Sequence, residues 1–292
     1  MSLRKVQQVI KPRPHHYVGD GFRVHNFIPA VSYLSMQRMS PFLLLDYGAK
    51  FYFSPTDKPR GVGVHPHRGF ETVTIAYKGK IAHHDSTGAG GVIDEGDVQW
   101  MTAVSGILHK EYHEKNWAKQ GGDLQMVQLW INLPAKDKMS EPKYQAITND
   151  MMAKYQLPDN AGIIEVISGS YKDIKGPAFT FTPVNLMNAK LNKGGKSDFS
   201  FPAEYNTGLL VIEGEIKVNE TEIAPADYFV LFENTGEDFT LEAVSDSIVL
   251  LMSGEPINEP IASQGPFIMN TRDELMQAFN DYHNGKFGYL ED

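Results

Sequence analysis

The stretch from Gly61 to Ile75, Gly-Val-Gly-Val-His65-Pro-His67-Arg-Gly-Phe-Glu71-Thr-Val-Thr-Ile, constrains this chain more than any other. It sets two imidazoles and a carboxylate at odd positions just ahead of a β-branched run. Alternation across a strand puts His65, His67 and Glu71 on one face. A second set follows in Gly106-Ile-Leu-His109-Lys-Glu111, again a histidine and a carboxylate two apart. If two strands bring these faces together inside a barrel, four donors converge: His65, His67, His109 and Glu111. A divalent first-row metal needs several donors about 2 Å away, and imidazole suits iron, copper, nickel and zinc. The chain has no cysteine, so such a site is built from nitrogen and oxygen, and no disulfide forms.

The length, 292 residues, allows one large domain or two of about half that size, each able to bury a core. With 41% hydrophobic and 22% charged residues the composition is that of a globular protein. Twenty-six Gly and 17 Pro among short Val/Ile/Phe/Tyr runs favour the frequent turns of sandwiches and barrels. A net charge of −9 with no Lys/Arg cluster argues against nucleic-acid binding. The N-terminus lacks an apolar core of signal-peptide length and no segment approaches a membrane span, so a cytoplasmic protein is expected, or a nuclear one in a eukaryotic cell.

Residues 1–30 read as a lead-in strand broken by Pro12 and Pro14, then an alternating strand from Gly21 to Ile28. His15, His16 and His25 lack a second donor at ligand spacing and are assigned structural roles. Pro41 to Asp46 is a short buried strand. The aromatic loop Phe51-Tyr-Phe53 either walls a substrate pocket or simply packs. Strands from Phe70 to Tyr77 and Lys80 to Asp85 join at Lys78-Gly79 as a hairpin. His83 and Asp85 form a rival donor pair, without a matching second pair. His113 shares the parity of His109 and is a weak substitute ligand. The glycine-rich 86–91 segment lacks the Lys-Ser/Thr and following helix of a phosphate cradle.

Leu124 to Leu133 closes a first lobe, and the proline-bracketed segment 134–142 reads as a linker. A short helix is expected over 150–156, stopped by Pro158. Strand-like runs then recur through Met252, with Glu213-Gly214 matching the Lys78-Gly79 turn, so the lobes read as a diverged repeat. Thr271-Arg-Asp-Glu274 is a capping box opening a helix to about His283, with Gly285 as its stop. After Glu114 the only histidine is His283. A three-imidazole site is therefore confined to the first lobe. The expected division is 1–134, with the metal site, and 135–292, without one.

Four strings resemble the pirin family of two-lobed cupins: His65-Pro-His-Arg-Gly-Phe-Glu-Thr-Val-Thr74, Gly96-Asp-Val-Gln-Trp-Met-Thr102, Gln128-Leu-Trp-Ile-Asn-Leu-Pro134 and Ile261-Ala-Ser-Gln-Gly-Pro-Phe267. The resemblance implies an all-β bicupin, two jelly-roll barrels with a few short helices and a C-terminal helix. It implies one divalent metal, Fe(II) first, with Ni, Mn, Co, Cu or Zn as alternatives, held by His65, His67, His109 and Glu111. It also implies a quercetin 2,3-dioxygenase-like oxidoreductase that opens the ring of flavonols with dioxygen, Glu111 serving as ligand and proton acceptor. The alternative it offers is a metal- or redox-sensing regulator of a protein partner such as a transcription factor. Val104-Ser105 stands where the family commonly has a Gly-containing turn, and Lys110 where it often has Ser.

Overall fold

A computed structural model describes residues 2–292. Its strands, in chain order, are β1 Val6–Ile10, β2 His16–Val18, β3 Phe22–Ile28, β4 Phe42–Phe53, β5 Gly61–His67, β6 Phe70–Lys78, β7 Ile81–Asp85, β8 Gly90–Ile93, β9 Val98–Thr102, β10 Ile107–His113, β11 Gly122–Asn132, β12 Lys143–Ile147, β13 Ala153–Gln156 and β14 Gly162–Ser168. Further strands follow to Met269, and the helix Arg272–His283 comes last. The chain forms two compact units, and it is of cupin type.

The unit that carries the histidines comprises Pro14–Gln37, Phe42–Asn149 and Ile257–Asp292. A seven-stranded sheet runs β12-β9-β6-β11-β4-β3-β2, and a four-stranded sheet runs β5-β10-β7-β8. Every named ladder in them is antiparallel. Phe22, Val24, Phe53, Ile81, Leu124 and Met126 form one apolar cluster of this unit. Each fully buried side chain of this kind stabilises by about 1.5–3 kcal/mol relative to exposure.

The other unit comprises the chain up to Arg13, Arg38–Pro41 and Asp150–Pro256. It repeats the plan, with seven strands (β1, 229–232, 206–213, 247–254, 184–191, β14, β13) and four (196–200, 238–243, 215–218, 222–225). The turn expected as a hairpin at Gly79 instead carries the chain from β6 in the seven-stranded sheet to β7 in the four-stranded one, Gly214 makes the same crossing, and both glycines take φ of 81°, a left-handed value glycine adopts freely. They occupy matching places in the two units, as the diverged repeat requires.

This division is not a single cut after residue 134. The polar segment expected as a linker contains a short 3-10 turn, Ala135–Asp137, and continues into β12, which pairs along β9. β1 pairs with Phe229–Phe232, so the N-terminus belongs to the second unit. The tail from Ile257 returns to the first, where Asp281 pairs with Arg68 at 2.8 Å. Strand exchange of this kind depends on which sheet edge is open, a property no local window encodes.

The helix expected over 150–156 is instead β13, paired with β14 from Ala153↔Val166 to Gln156↔Ile163. An available sheet edge outweighs weak helical propensity over so short a span. The C-terminal helix agrees with expectation. Thr271 accepts from the Glu274 backbone N–H, the Glu274 side chain reaches back to the Thr271 N–H, and Gly285 follows at φ 71°. Among the described residues no helix is long and apolar enough to cross a membrane.

Candidate metal centre

The organising stretch divides between two sheets. β5 ends at His67, the chain reverses at Gly69 (φ 89°), and Glu71 belongs to β6 in the other sheet. Glu71 is therefore separated from the histidines; it is buried and accepts a 2.7 Å hydrogen bond from the Thr102 hydroxyl. Burial pushes its carboxyl up to about 7, with Thr102 opposing.

β5 and β10 pair so that His109 lies opposite His65 and Ile107 opposite His67. The three imidazoles pack within 4.2 to 4.8 Å of one another, centroid to centroid. One nitrogen from each of His65, His67 and His109 lies within 4.8 Å of the other two. Two nitrogens bound to one ion about 2 Å away stand about 3–4 Å apart, so small side-chain adjustments close the set.

The electrostatics suit a cation. Burial lowers the pKa of all three, and mutual repulsion lowers His67 and His109 further, so the rings are neutral, as ligation requires. His65 Nδ1 lies 2.8 Å from the Gly63 carbonyl, which fixes the proton there and leaves Nε2 with its lone pair. His109 is buried with neither ring nitrogen hydrogen-bonded. An orphaned buried imidazole is costly, and a metal is the partner this donor set fits.

Glu111 stands apart from the three-nitrogen cluster. A register shift in β10 between His109 and Glu111 sets Glu111 opposite Val62 on one side and His83 on the other. Its Oε1 lies 3.2 Å from the Thr74 hydroxyl, which is also 2.6 Å from Gln128 Oε1. The Thr74 hydroxyl carries one proton, so it donates to Glu111 Oε1 or to Gln128 Oε1 in turn. Burial pushes the Glu111 carboxyl up to about 7, with the Thr74 hydrogen bond opposing.

Thr74 belongs to a row of register partners facing the interior. Asn26, Asp46, Gln128, Thr74 and Gln99 succeed one another across β3, β4, β11, β6 and β9. Asn26 donates to Asp46 at 2.6 Å, and burial raises the Asp46 pKa. On the facing sheet the row is Glu111, His83 and Gly91. Sequence reasoning did not single out Asp46, Gln128 or Thr74. The available signal was a polar residue inside each of three strongly apolar strands.

A cavity of about 310 Å³ opens on the cluster. His65, His67 and Glu111 line it together with Asp46 and Gln128, against Phe22, Val24, Leu44, Met126, Trp130 and Pro266. The Phe51–Phe53 segment does not line it. Phe53 instead packs on His113 at 4.6 Å and on Phe51 at 5.0 Å, which is the packing alternative for that loop. His113 itself binds the Gly21 carbonyl at 2.8 Å. Asp85 Oδ1 caps its own turn through Thr87 and Ala89, and neither Asp85 nor His83 belongs to the three-nitrogen cluster.

A cupin-type two-unit chain with one three-histidine cluster in its first unit is thus defined. The Pirin family model matches residues 21–131 and the model of the pirin C-terminal cupin domain matches 186–288, so the chain belongs to the pirin family. It is 45% identical over 98% of its length, and 99% of the relative's, to a Pseudomonas aeruginosa protein that carries a provisional quercetin 2,3-dioxygenase name. A solved quercetin 2,3-dioxygenase from Acinetobacter baumannii is 46% identical, with a TM-score of 0.92, covering 99% of this chain and all of that one. A bacterial pirin of Escherichia coli, solved with nickel(II), shares the fold at 22% identity and a TM-score of 0.65, over 86% of this chain and 99% of that one.

Proposed function

We propose that this chain is a metal-dependent dioxygenase that opens the heterocycle of flavonol-type polyphenols at one centre. The observation that carries the reading is the buried His65–His67–His109 cluster, with both His109 nitrogens orphaned, facing an aromatic-walled cavity. His65, His67 and His109 hold the ion, and Glu111 is the fourth donor. Fe(II) is the first candidate and nickel the second. When bound, the ion supplies Lewis acidity and redox chemistry toward dioxygen.

Trp130, Met126 and Leu44 sandwich the planar ring system and exclude water. A cavity of roughly 150 Å³ holds one benzene ring, so 310 Å³ accommodates a bicyclic core. Glu111 takes the proton of the ring hydroxyl nearest the histidines. A carboxyl near 7 exchanges a proton readily at neutral pH. Thr74 and Gln128 hold that carboxyl in place and shift with its protonation. The relatives' quercetin dioxygenase names support the substrate class.

The test is oxygen-electrode measurement with quercetin on protein separately loaded with Fe(II), Ni(II), Mn(II) and Co(II), with products analysed for ring opening. Metal-dependent oxygen uptake matched to flavonol loss is expected. Stoichiometric metal binding with no uptake for any ion would overturn the enzymatic reading and leave the redox-responsive partner protein as the alternative.

A further inference from the structure

The imidazole of His67 is held from the far end of the sequence. Its Nδ1 lies 3.5 Å from the Pro266 carbonyl, which also accepts from the Arg68 backbone N–H at 3.4 Å. A carbonyl only accepts, so the ring proton sits on Nδ1 and Nε2 keeps its lone pair, the tautomer that His65 takes against Gly63. Gly265 and Pro266 form the two-residue turn between the paired strands Ala262–Gln264 and Phe267–Met269. Gly265 takes φ of 55°, the positive value required at the first position of a type II′ hairpin turn, and a Cβ there would meet nothing within 4 Å.

The same segment grips the terminal helix. Phe267, next to Pro266, packs on Phe279 and Phe287 with ring centroids 4.8 and 5.8 Å away. Arg68, next to His67, accepts from the Ile268 N–H at 3.1 Å through its carbonyl and reaches Asp281 at 2.8 Å through its guanidinium. One contact chain thus runs from the His67 ring through Pro266 and Arg68 to the helix Arg272–His283. We propose that the Pro266 carbonyl is a positioning group of the metal centre, and that metal occupancy and docking of the terminal helix are linked through it. The inference rests on His65, His67 and His109 being the metal donors, not on the flavonol chemistry. Outer partners that fix the tautomer and angle of a ligating imidazole are worth about 10–100-fold in metal affinity. Linkage is reciprocal, so whatever factor the docked segment adds to metal affinity, bound metal adds to the docking equilibrium.

The test compares the parent chain with Gly265→Pro and Gly265→Asn. Proline cannot take the positive φ and redirects the turn, whereas asparagine tolerates it and has room. Three quantities are read: Ni(II) affinity by chelator competition, the His67 ring-nitrogen shifts in long-range ¹H–¹⁵N spectra of the metal-free labelled protein, and hydrogen exchange over Arg272–His283 with and without saturating Ni(II). Gly265→Pro should bind Ni(II) about tenfold more weakly and show His67 as a mixture of tautomers. It should also lose the Ni(II)-dependent slowing of exchange, which in the parent chain should be about tenfold. Gly265→Asn should match the parent in all three. If Gly265→Pro fails to fold, Asp281→Asn, which frees the helix from Arg68, takes its place and should weaken Ni(II) binding at least about twofold. Parental Ni(II) affinity in Gly265→Pro with only a lowered melting temperature, or in Asp281→Asn where it stands in, would overturn the proposal. A parent chain that binds no Ni(II) would instead remove the three-histidine reading, and the linkage with it.

Discussion

His65 and His109 face each other directly across the β5–β10 ladder, their ring centroids 4.2 Å apart. The centre therefore depends on strand pairing, and its donors should fail together. About one transition metal per chain is expected, all of it in the first unit. His67→Ala and His109→Ala should each abolish tight binding, read by elemental analysis after dialysis. His83→Ala should keep it, because His83 lies outside the cluster. Equal loss in all three variants would relocate the site.

Behind His67, a buried lysine secures the turn. Lys138 Nζ donates to the Gly69 carbonyl at 2.6 Å, to Asn132 Oδ1 at 2.6 Å and to the Ile268 carbonyl at 3.1 Å. Burial pushes its pKa down to about 7, while the three acceptors match the three N–H groups of an ammonium. Lys138→Met keeps the volume and orphans three buried acceptors. At about 1–3 kcal/mol each, less the desolvation regained by removing the charge, the net loss should be about 3 kcal/mol. Chemical denaturation measures it, and a loss under about 1 kcal/mol would mean that those acceptors are satisfied in some other way.

The terminal helix carries an acid-sensitive contact. Hydrogen bonds from Lys286 first, then Arg68, hold the Asp281 carboxyl down at about 2. A depressed folded-state value means the unfolded chain binds the proton more readily. The stabilisation is complete above the usual carboxylate range near 4 and is lost as pH falls toward 2. The melting-temperature gap between the parent chain and Asp281→Asn should accordingly be widest at pH 6 and should close by pH 2. A gap independent of pH would show that charge plays no part. Arg68 also lies over the Phe287 ring at 4.6 Å, so hydrogen exchange over Arg272–His283 should quicken in the variant at neutral pH.

The spacing of His65, His67 and His109 was legible because alternation on a strand is a local rule, and a ladder needs only one register to unite the pairs. Glu71 was misassigned to the same face because the reversal at Gly69 falls between the pair and the β-branched run. Asp46, Thr74 and Gln99 belong to strands distant in sequence, and only the register joins them in one row. The division into units was obscured by exchange of β1 and of the C-terminal segment. Val104 takes φ of 30° while fully buried, so apolar burial there offsets left-handed strain.

Glu111 tests the chemistry most directly. It is the fourth donor in the proposed set, yet its carboxylate rests on Thr74 rather than within the imidazole cluster. Glu111→Gln preserves length and one oxygen but removes charge and basicity. Metal content should persist at reduced affinity, because three imidazoles remain, while flavonol-dependent oxygen uptake falls by about 10²–10⁴, the usual worth of a positioned general base. Thr74→Val leaves the carboxylate in place but frees it to rotate, so its uptake should fall less, by about tenfold, with metal content unchanged. The two variants separate the roles. Complete metal loss in Glu111→Gln would make the carboxylate an indispensable ligand. Full turnover in Glu111→Gln with metal retained would assign the proton to another acceptor and refute the mechanism, and a Thr74→Val effect as large as that of Glu111→Gln would mean that the hydroxyl, not the carboxylate, handles the proton.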